Sequence, residues 1–223
     1  MFKNILKNTF IYDLIVWYRH KREFHHWTRN GKNIPVPHLI KQGTLREYSR
    51  RFNLNILVET GTYMGFTVLA MKNEFERIIS IELSNELYER ARLKFSRYPR
   101  IEVMKGDSSR VIPIILQKIN EPALFWLDGH YSGEGTARGD LETPVVREIE
   151  AILNHKIKDH VILIDDAHCL NGLSDYPTLN KLRHLIYKAD PGLVFEVAHD
   201  IVRIYRNTLS DKDDVSEKNM VLN

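Results

Sequence analysis

The segment Glu59–Thr67 constrains the fold more than any other part of this 223-residue chain. It follows an apolar run at 56–58 that is typical of a buried parallel strand, and it leads into a run at 68–71 that is typical of the start of a helix. Gly61 and Gly65 lie between the two runs, and glycine lets the backbone approach a ligand closely. A helix that begins at such a turn presents free N–H groups there. The segment therefore predicts a strand, a ligand-binding turn and a helix.

Two acids follow the next predicted strands at positions that suit a nucleotide-binding fold. Glu82 comes 23 positions after Glu59, which is about where such folds place the carboxylate that binds ribose hydroxyls. Asp107 follows the third apolar run. The glycine spacing differs from that of dinucleotide sites, because Tyr63 stands where their middle glycine would be. An ordinary strand-to-helix turn is the alternative interpretation, but the two acids favour a cofactor site.

Seven apolar runs alternate with helical stretches along the chain. They occupy residues 55–58, 78–82, 101–104, 123–127, 161–164, 193–198 and 201–205. This alternation predicts an α/β fold with a doubly wound, mostly parallel sheet of seven strands. Only a few residues around His199 and Asp200 separate the last two runs, so they predict a hairpin and one antiparallel strand. Ser84 predicts the start of a helix that runs to about Arg97, and Ser108-Ser109 predicts the start of another.

Composition limits the compartment and the partners. A single cysteine, Cys169, excludes an internal disulfide and is typical of a reducing cytoplasm. No apolar stretch reaches the about 18–20 residues that span a bilayer. The net charge of +3 is concentrated in residues 1–30, which hold six basic and two acidic side chains. Because the remainder has no basic excess, we expect no nucleic-acid partner.

The spacing of apolar and basic residues within 1–30 predicts an amphipathic helix. Two interpretations of it remain open. It packs on the domain or on a second subunit of a homo-oligomer, or it lies on the anionic inner face of a membrane. The prolines at 35 and 37 predict an extended linker. The predicted division is a helical extension with its linker at 1–37, an α/β domain at 38–207 and a disordered tail at 208–223.

Acidic residues also close the fourth and fifth predicted strands. Asp128 follows one strand, and Asp165 and Asp166 follow the other. Ligands of open α/β sheets bind at the carboxyl ends of the strands, so adjacent strands would bring these three carboxylates into one site. Crowded carboxylates repel one another unless a cation neutralises them, and oxygen ligands favour a hard ion such as Mg²⁺. Helix capping and turn formation are the alternative role.

The segment Glu59–Thr67 resembles the first motif of the class I S-adenosylmethionine-dependent methyltransferases. It is most similar to the version in catechol O-methyltransferases, where a tyrosine also interrupts the glycines. Ile81-Glu82 and Gly106-Asp107-Ser108 resemble two further motifs of these enzymes. The resemblance implies a Rossmann-like fold at 38–207 and S-adenosylmethionine as cofactor. The residues that it implies for cofactor binding are Glu59, Gly61, Thr62, Tyr63, Gly65, Thr67, Glu82, Asp107 and Ser108.

The aspartates after the fourth and fifth strands resemble the metal ligands of a narrower group, the sugar O-methyltransferases of the macrocin O-methyltransferase type. This resemblance implies Asp128, Asp165 and Asp166 as ligands of Mg²⁺, and a sugar or glycan hydroxyl as acceptor. The stretch 126–133 also resembles methyltransferases of bacterial surface-glycan clusters. The expected function is therefore a Mg²⁺-dependent O-methyltransferase of polysaccharide biosynthesis.

Two histidines are candidates for the base that this reaction needs. His130 lies two residues after Asp128, and His168 lies two residues after Asp166. A cation lowers the pKa of a bound hydroxyl, and a nearby imidazole then accepts its proton. The glycine-rich stretch 131–140 predicts either a mobile loop over the site or an ordinary surface loop.

Two other functions compete with this one. A non-catalytic S-adenosylmethionine-binding or scaffold protein would have the same fold, but the retained Gly61, Gly65 and Glu82 argue against it. A metal-dependent glycosyltransferase would be expected to carry an Asp-x-Asp signature. The chain instead has Asp128-Gly129-His130 at the corresponding place, which disfavours that reading.

Overall fold

A computed structural model describes residues 10–31, 34–129 and 143–207. Two helices, α1 (Phe10–Arg29) and α2 (His38–Arg51), precede the first strand. Strands and helices then alternate. They are β1 (Ile56–Thr60), α3 (Phe66–Met71), β2 (Arg77–Glu82), α4 (Asn85–Phe95), β3 (Ile101–Lys105), α5 (Ser108–Leu116), β4 (Leu124–Leu127), α6 (Val145–Leu153), β5 (Val161–Ile164), a 3₁₀ turn (Ala167–Cys169), α7 (Leu179–Ala189), β6 (Leu193–Ala198) and β7 (Ile201–Arg206).

The strands form one seven-stranded sheet in the order β3-β2-β1-β4-β5-β7-β6. Strands β1 to β5 pair in parallel, whereas β7 runs antiparallel to both β5 and β6. The hairpin turns at His199 and Asp200, whose φ angles of 50° and 58° match a two-residue type I′ turn. The predicted mostly parallel sheet with a terminal hairpin is therefore confirmed.

Strand β1 shows how the sheet divides the core. Ile56 and Val58 pack in the cluster that α5, α6 and α7 cover, whereas Leu57 packs in the cluster under α2, α3 and α4. Successive side chains of a strand point to opposite faces, so a strand that is covered on both faces is apolar throughout. Every residue of β1 is accordingly buried. The sheet is doubly wound, as the alternating pattern predicts.

Capping residues fix where two of the helices begin. Ser84 caps α4 as predicted, because its side chain accepts a hydrogen bond from the backbone N–H of Leu87. The prediction for α5 was wrong in its cap: Asp107 occupies the N-cap position and accepts from the N–H of Ser109 at 2.9 Å. A carboxylate stabilises the positive end of a helix as well as a hydroxyl does.

The N-terminal helix α1 lies against the sheet domain in the described chain. The ring of His20 is buried beside those of His38 and Phe66, with centroid distances of 4.7 and 5.7 Å. Trp27 is also buried and lies 6.3 Å from the ring of His199. Among the described residues, no helix combines the length and apolarity needed to cross a membrane. The domain boundary at residue 37 stays a prediction, and the tail at 208–223 lies outside the described residues.

We expect Gly61→Ala to lower the free energy of unfolding by roughly 1–3 kcal/mol. Gly61 has a φ of +83°, and a Cβ there would lie 2.5 Å from the backbone oxygen of Asp128. Gly43→Ala is the matched control, because Gly43 lies within α2 with nothing within 4 Å of its Cβ position. That control should be neutral or stabilising by roughly 0.5–1 kcal/mol. Chemical denaturation measures both, and equal effects would contradict the close packing of the turn.

Candidate active site

The register of the sheet brings the predicted site residues to one edge. Thr60 at the end of β1 lies beside Ile81 in β2 and Leu127 in β4. Leu127 in turn lies beside Ile164 in β5. These strands are parallel, so their carboxyl ends coincide, and the residues that follow them face a common crevice. The structure therefore gathers the predicted cofactor and metal residues around the same edge.

Contacts with α4 and with the loop after β4 shape the turn after β1. A Cβ at Gly65 would lie 2.7 Å from the ring of Phe95 in α4, and a Cβ at Gly61 would meet the backbone of Asp128. Between them, Tyr63 has a φ of 47° and is half exposed. Both glycines are thus required for the turn to pack on α4 and on the loop after β4. Their close approach to a cofactor stays a prediction.

A chain of buried polar groups anchors this turn to β2. The hydroxyl of Ser80 donates to Glu59 at 2.5 Å and lies 2.6 Å from the hydroxyl of Thr62. Thr67 also hydrogen-bonds to Glu59. Burial raises the pKa of Glu59 to about 8, although the two hydroxyl contacts oppose the rise. Glu59 therefore supports the turn from beneath, and its predicted cofactor contact is untested.

Two backbone N–H groups orient the carboxylate of Glu82. One oxygen accepts from the backbone N–H of Tyr63 and the other from that of Ser84, each at 2.8 Å. The side chain is buried at the end of β2. A carboxylate accepts about four hydrogen bonds, so each oxygen keeps an acceptor site for a ligand. This orientation suits the predicted contact with two ribose hydroxyls.

The predicted adenine-binding residues lie at the start of α5. Oδ1 of Asp107 accepts from both the N–H and the hydroxyl of Ser109, at 2.9 and 2.7 Å. Ser108 is buried and hydrogen-bonds to Glu148 of α6. Burial raises the pKa of Glu148 to about 7. Asp107 thus has a structural role as a cap, and its contact with adenine stays a prediction.

Three carboxylates converge at the ends of β4 and β5. The side chains of Asp128, Asp165 and Asp166 each offer an oxygen within 4.8 Å of the others. The N–H of Asp166 donates to Asp165 at 2.9 Å, and Asp166 adopts a left-handed conformation with a φ of 49°. The sequence therefore predicted a real cluster of side chains, which we call the aspartate cluster.

Lys41 of α2 lies within the aspartate cluster, which the sequence analysis missed. Its ammonium group donates to Asp165, 124 positions away, and to Asp166 at 3.3 Å. The side chain is only 17% exposed. No motif surrounds Lys41 in the sequence, so only the packing of α2 on the sheet reveals this contact.

Burial and charge act together on the ionisation of the aspartate cluster. Burial raises the pKa of Asp128 well above its usual range, and the charge of Asp165 adds to the rise. Burial acts to lower the pKa of Lys41, but the charges of Asp165 and Asp166 outweigh it and raise that pKa. Lys41 therefore stays positively charged, and its charge stabilises the ionised form of the neighbouring aspartates.

The aspartate cluster fits a hard divalent cation. Its donors are carboxylate oxygens, which Mg²⁺ and Ca²⁺ prefer. With all three acids ionised and Lys41 charged, the group carries a net charge of −2, which one divalent ion balances. Asp128, Asp165 and Asp166 would hold the ion, and Lys41 would have to share its carboxylates.

His168 lies beside the aspartate cluster in a defined orientation. Its Nδ1 lies 2.6 Å from one oxygen of Asp200, and its backbone N–H donates to the other at 2.8 Å. A carboxylate only accepts, so Nδ1 carries the proton and a neutral ring keeps its lone pair on Nε2. Asp166, His168 and Asp200 also offer ligand atoms within 4.8 Å of one another. Nε2 lies 3.5 Å from Sγ of Cys169. The ring of His168 is thus oriented by Asp200, and its role as a base stays a prediction.

The rival base His130 lies outside the described residues, as does the glycine-rich stretch 131–140. The structure consequently describes one of the two candidate histidines. Asp200, which orients that histidine, is the second functional residue that sequence reasoning missed. Its place in the tight β6–β7 turn was predicted, but its pairing with His168 depends on how that turn packs on β5.

Comparison with solved structures identifies the fold. An O-methyltransferase from Bacillus cereus in complex with SAH matches with a TM-score of 0.56 and 15% identity, over 84% of this chain and 90% of that one. TomG from Streptomyces achromogenes, an O-methyltransferase of tomaymycin synthesis, matches with a TM-score of 0.55 and 13% identity, over 85% of this chain and 87% of that one. An SAH-bound methyltransferase from Podospora anserina matches with a TM-score of 0.52 and 16% identity, over 83% of this chain and 87% of that one.

The chain has the Rossmann-like fold of class I methyltransferases. At these identities the likeness establishes the fold alone. No protein-family model and no curated protein sequence matches the chain. Its chemistry therefore has to be inferred from its own residues.

We expect Lys41→Met to lower the free energy of unfolding in metal-free buffer by roughly 3–5 kcal/mol, because it leaves buried carboxylates without a counter-charge. Addition of MgCl₂ should restore part of the loss, since the ion would replace the ammonium. Urea denaturation with EDTA or with Mg²⁺ measures both effects. Lys118→Met, at an exposed lysine of the same type, should change the value by less than about 0.5 kcal/mol. If Mg²⁺ stabilises neither the wild type nor Lys41→Met, the aspartate cluster holds no cation.

Proposed function

We propose that this protein is a Mg²⁺-dependent O-methyltransferase that transfers a methyl group from S-adenosylmethionine to a hydroxyl of a sugar or glycan. The observation that carries the proposal is the aspartate cluster at the ends of β4 and β5, beside the glycine turn of β1. The arrangement would let the aspartates hold a cation for the acceptor hydroxyl close to the turn that would hold the methyl donor.

Cofactor binding is supported by the geometry around the first three strand ends. Glu82 presents two oriented oxygens at the end of β2, and the turn at 61–65 begins a helix whose first N–H groups face the same edge. The matched structures from Bacillus cereus and Streptomyces achromogenes were solved with SAH and SAM, respectively. The geometry suits an adenosine cofactor, and the ligands of these two structures favour S-adenosylmethionine over a dinucleotide.

When bound, the cofactor supplies a methyl group on a sulfonium, and the cation supplies a Lewis acid for the acceptor hydroxyl. The chain supplies orientation and a proton acceptor. Asp128, Asp165 and Asp166 would hold the cation, and Asp200 holds Nδ1 of His168 so that Nε2 would accept the hydroxyl proton. The new O–CH₃ bond would replace the S–CH₃ bond, and S-adenosylhomocysteine would leave. His130 remains the alternative base.

The acceptor class and the cytoplasmic compartment are inferred from the sequence. The sugar or glycan acceptor rests on the resemblance of the aspartate motifs, and a cytoplasmic location rests on the single cysteine. Helix α1 exposes Ile15, Trp17 and Tyr18. These side chains suit a contact with the inner face of a membrane or with a second subunit.

One observation favours a second candidate, a methyltransferase that works without metal. Lys41 already provides a positive charge among the aspartates, through its contacts with Asp165 and Asp166. An ammonium group can stabilise a developing alkoxide much as a cation does. Turnover in EDTA separates the two: the metal-dependent enzyme stops, and the metal-independent enzyme continues.

We expect Glu82→Ala to weaken S-adenosylmethionine binding by roughly 1.5–3 kcal/mol, or about 10- to 100-fold, because it removes charge-assisted hydrogen bonds to the ribose. Isothermal titration with S-adenosylmethionine measures the loss. Glu102→Ala is the control, since Glu102 lies half exposed in β3 and pairs with Arg77. Equal affinity of Glu82→Ala and wild type would remove Glu82 from the cofactor site.

We expect His168→Ala to lower kcat by about 10²–10⁴ and to leave S-adenosylmethionine affinity unchanged, because it removes only the proton acceptor. Release of S-adenosylhomocysteine over a panel of sugar acceptors is the measurement. Asp200→Asn should lower kcat less, since the ring stays but its orientation is weakened.

His184→Ala, at an exposed histidine of α7, is the control and should keep full activity. His130→Ala decides between the two candidates. A greater loss in His130→Ala than in His168→Ala would move the base to His130, and a loss below tenfold in both would leave no histidine in the role.

A further inference from the structure

A large cavity lies between α1 and the linker that leads into α2. Its volume is about 1150 Å³, and its walls include Trp27, Pro35 and the first residue of α2, His38. Small-molecule sites have volumes of about 300–1,000 Å³, so the space is sufficient for a ligand larger than one sugar ring. We call it the N-terminal cavity.

The N-terminal cavity is lined by more basic than acidic side chains. Arg19, Arg22 and Arg29 face it together with one acid, Glu23, which gives a net charge of +2 with the histidines neutral. Arg19 pairs with Glu23 at 3.2 Å. Within the described part of the chain, neither Arg22 nor Arg29 has a carboxylate partner. Both of these guanidinium groups line the N-terminal cavity.

One wall of the N-terminal cavity lies near the candidate active site. The ring of His38 lies 6.3 Å from that of Phe66, the residue that directly follows the glycine turn. Lys41 of the aspartate cluster lies one helical turn further along α2. Nε2 of His38 is shielded from solvent and has no hydrogen-bond partner among the described residues. A buried polar atom of this kind calls for a ligand or water.

Trp27, on the opposite wall of the N-terminal cavity, lies near the turn that carries Asp200. The ring of Trp27 lies 6.3 Å from that of His199, whose neighbour Asp200 orients His168. The rings of Phe66 and His199 thus lie between the N-terminal cavity and the turns that carry the predicted cofactor residues and Asp200. The arginines of the cavity lie on α1, away from the aspartate cluster, so they suit a part of the acceptor that does not react.

We propose that the N-terminal cavity receives the acceptor and that Arg22 and Arg29 bind an oxyanion group of it, a phosphate or a carboxylate. The inference rests on the proposed function and narrows its substrate class to anionic sugars or glycans. Guanidinium groups bind both oxyanions in a bidentate manner, and the nearby N-terminus of α2 adds to the positive potential.

The test uses the full-length protein and two probes, inorganic pyrophosphate and malonate, in isothermal titrations at low salt. Wild type should bind at least one probe, and Arg22→Gln/Arg29→Gln should bind it at least tenfold more weakly. Arg92→Gln, at an exposed arginine of α4 that pairs with Glu89, should bind within twofold of wild type. The stronger probe tells whether the group is a phosphate or a carboxylate. The ring signal of His38 in NMR spectra should shift when that probe binds.

Failure of both probes to bind to the wild type, or equal binding by the double variant, would overturn the inference. A parallel titration with S-adenosylmethionine keeps the proposed function separate, since the double variant should bind it as wild type does. Loss of S-adenosylmethionine binding in the wild type itself would instead overturn the proposed function. Vesicles of phosphatidylglycerol form the last arm: if they bind through the two arginines while pyrophosphate and malonate do not, the occupant is a membrane surface and the inference is wrong.

Discussion

Three carboxylates lie within 4.8 Å of one another at the ends of β4 and β5. They repel one another unless a positive charge lies among them, and the surrounding structure supplies that charge. In the structure the charge comes from Lys41, which reaches the aspartate cluster from α2. The packing of α2 on the sheet is thereby coupled to the site. A divalent cation would compete with this ammonium group for the same oxygens, so metal binding and the position of Lys41 are linked.

The glycine turn illustrates how a binding loop is built from packing constraints. Gly61 abuts the backbone after β4, and Gly65 abuts Phe95, so the turn is fixed between two neighbouring elements. Glu82 then accepts the N–H of Tyr63 and closes the turn against β2. A rigid turn of this kind presents its remaining hydrogen-bonding groups without a cost in ordering when a ligand binds.

The two helices before the sheet complete the site, although they carry no recognisable motif. Helix α2 supplies Lys41 and His38, and α1 supplies Trp27 and the arginines of the N-terminal cavity. Under the proposal that the N-terminal cavity receives the acceptor, its arginines would connect the basic charge of residues 1–30 to the choice of substrate.

The sequence by itself determined the seven strands, the hairpin and the three aspartates, because each follows from a local pattern: apolar runs, a two-residue turn, and acids that directly follow strands. It also placed Glu82 at the end of β2, where parallel pairing brings it beside the glycine turn. Only the tertiary structure revealed that Lys41 places a positive charge in the aspartate cluster and that Asp200 orients His168. Both are contacts between residues far apart in the chain, 124 positions in the case of Lys41 and Asp165, and no local periodicity encodes such a distance.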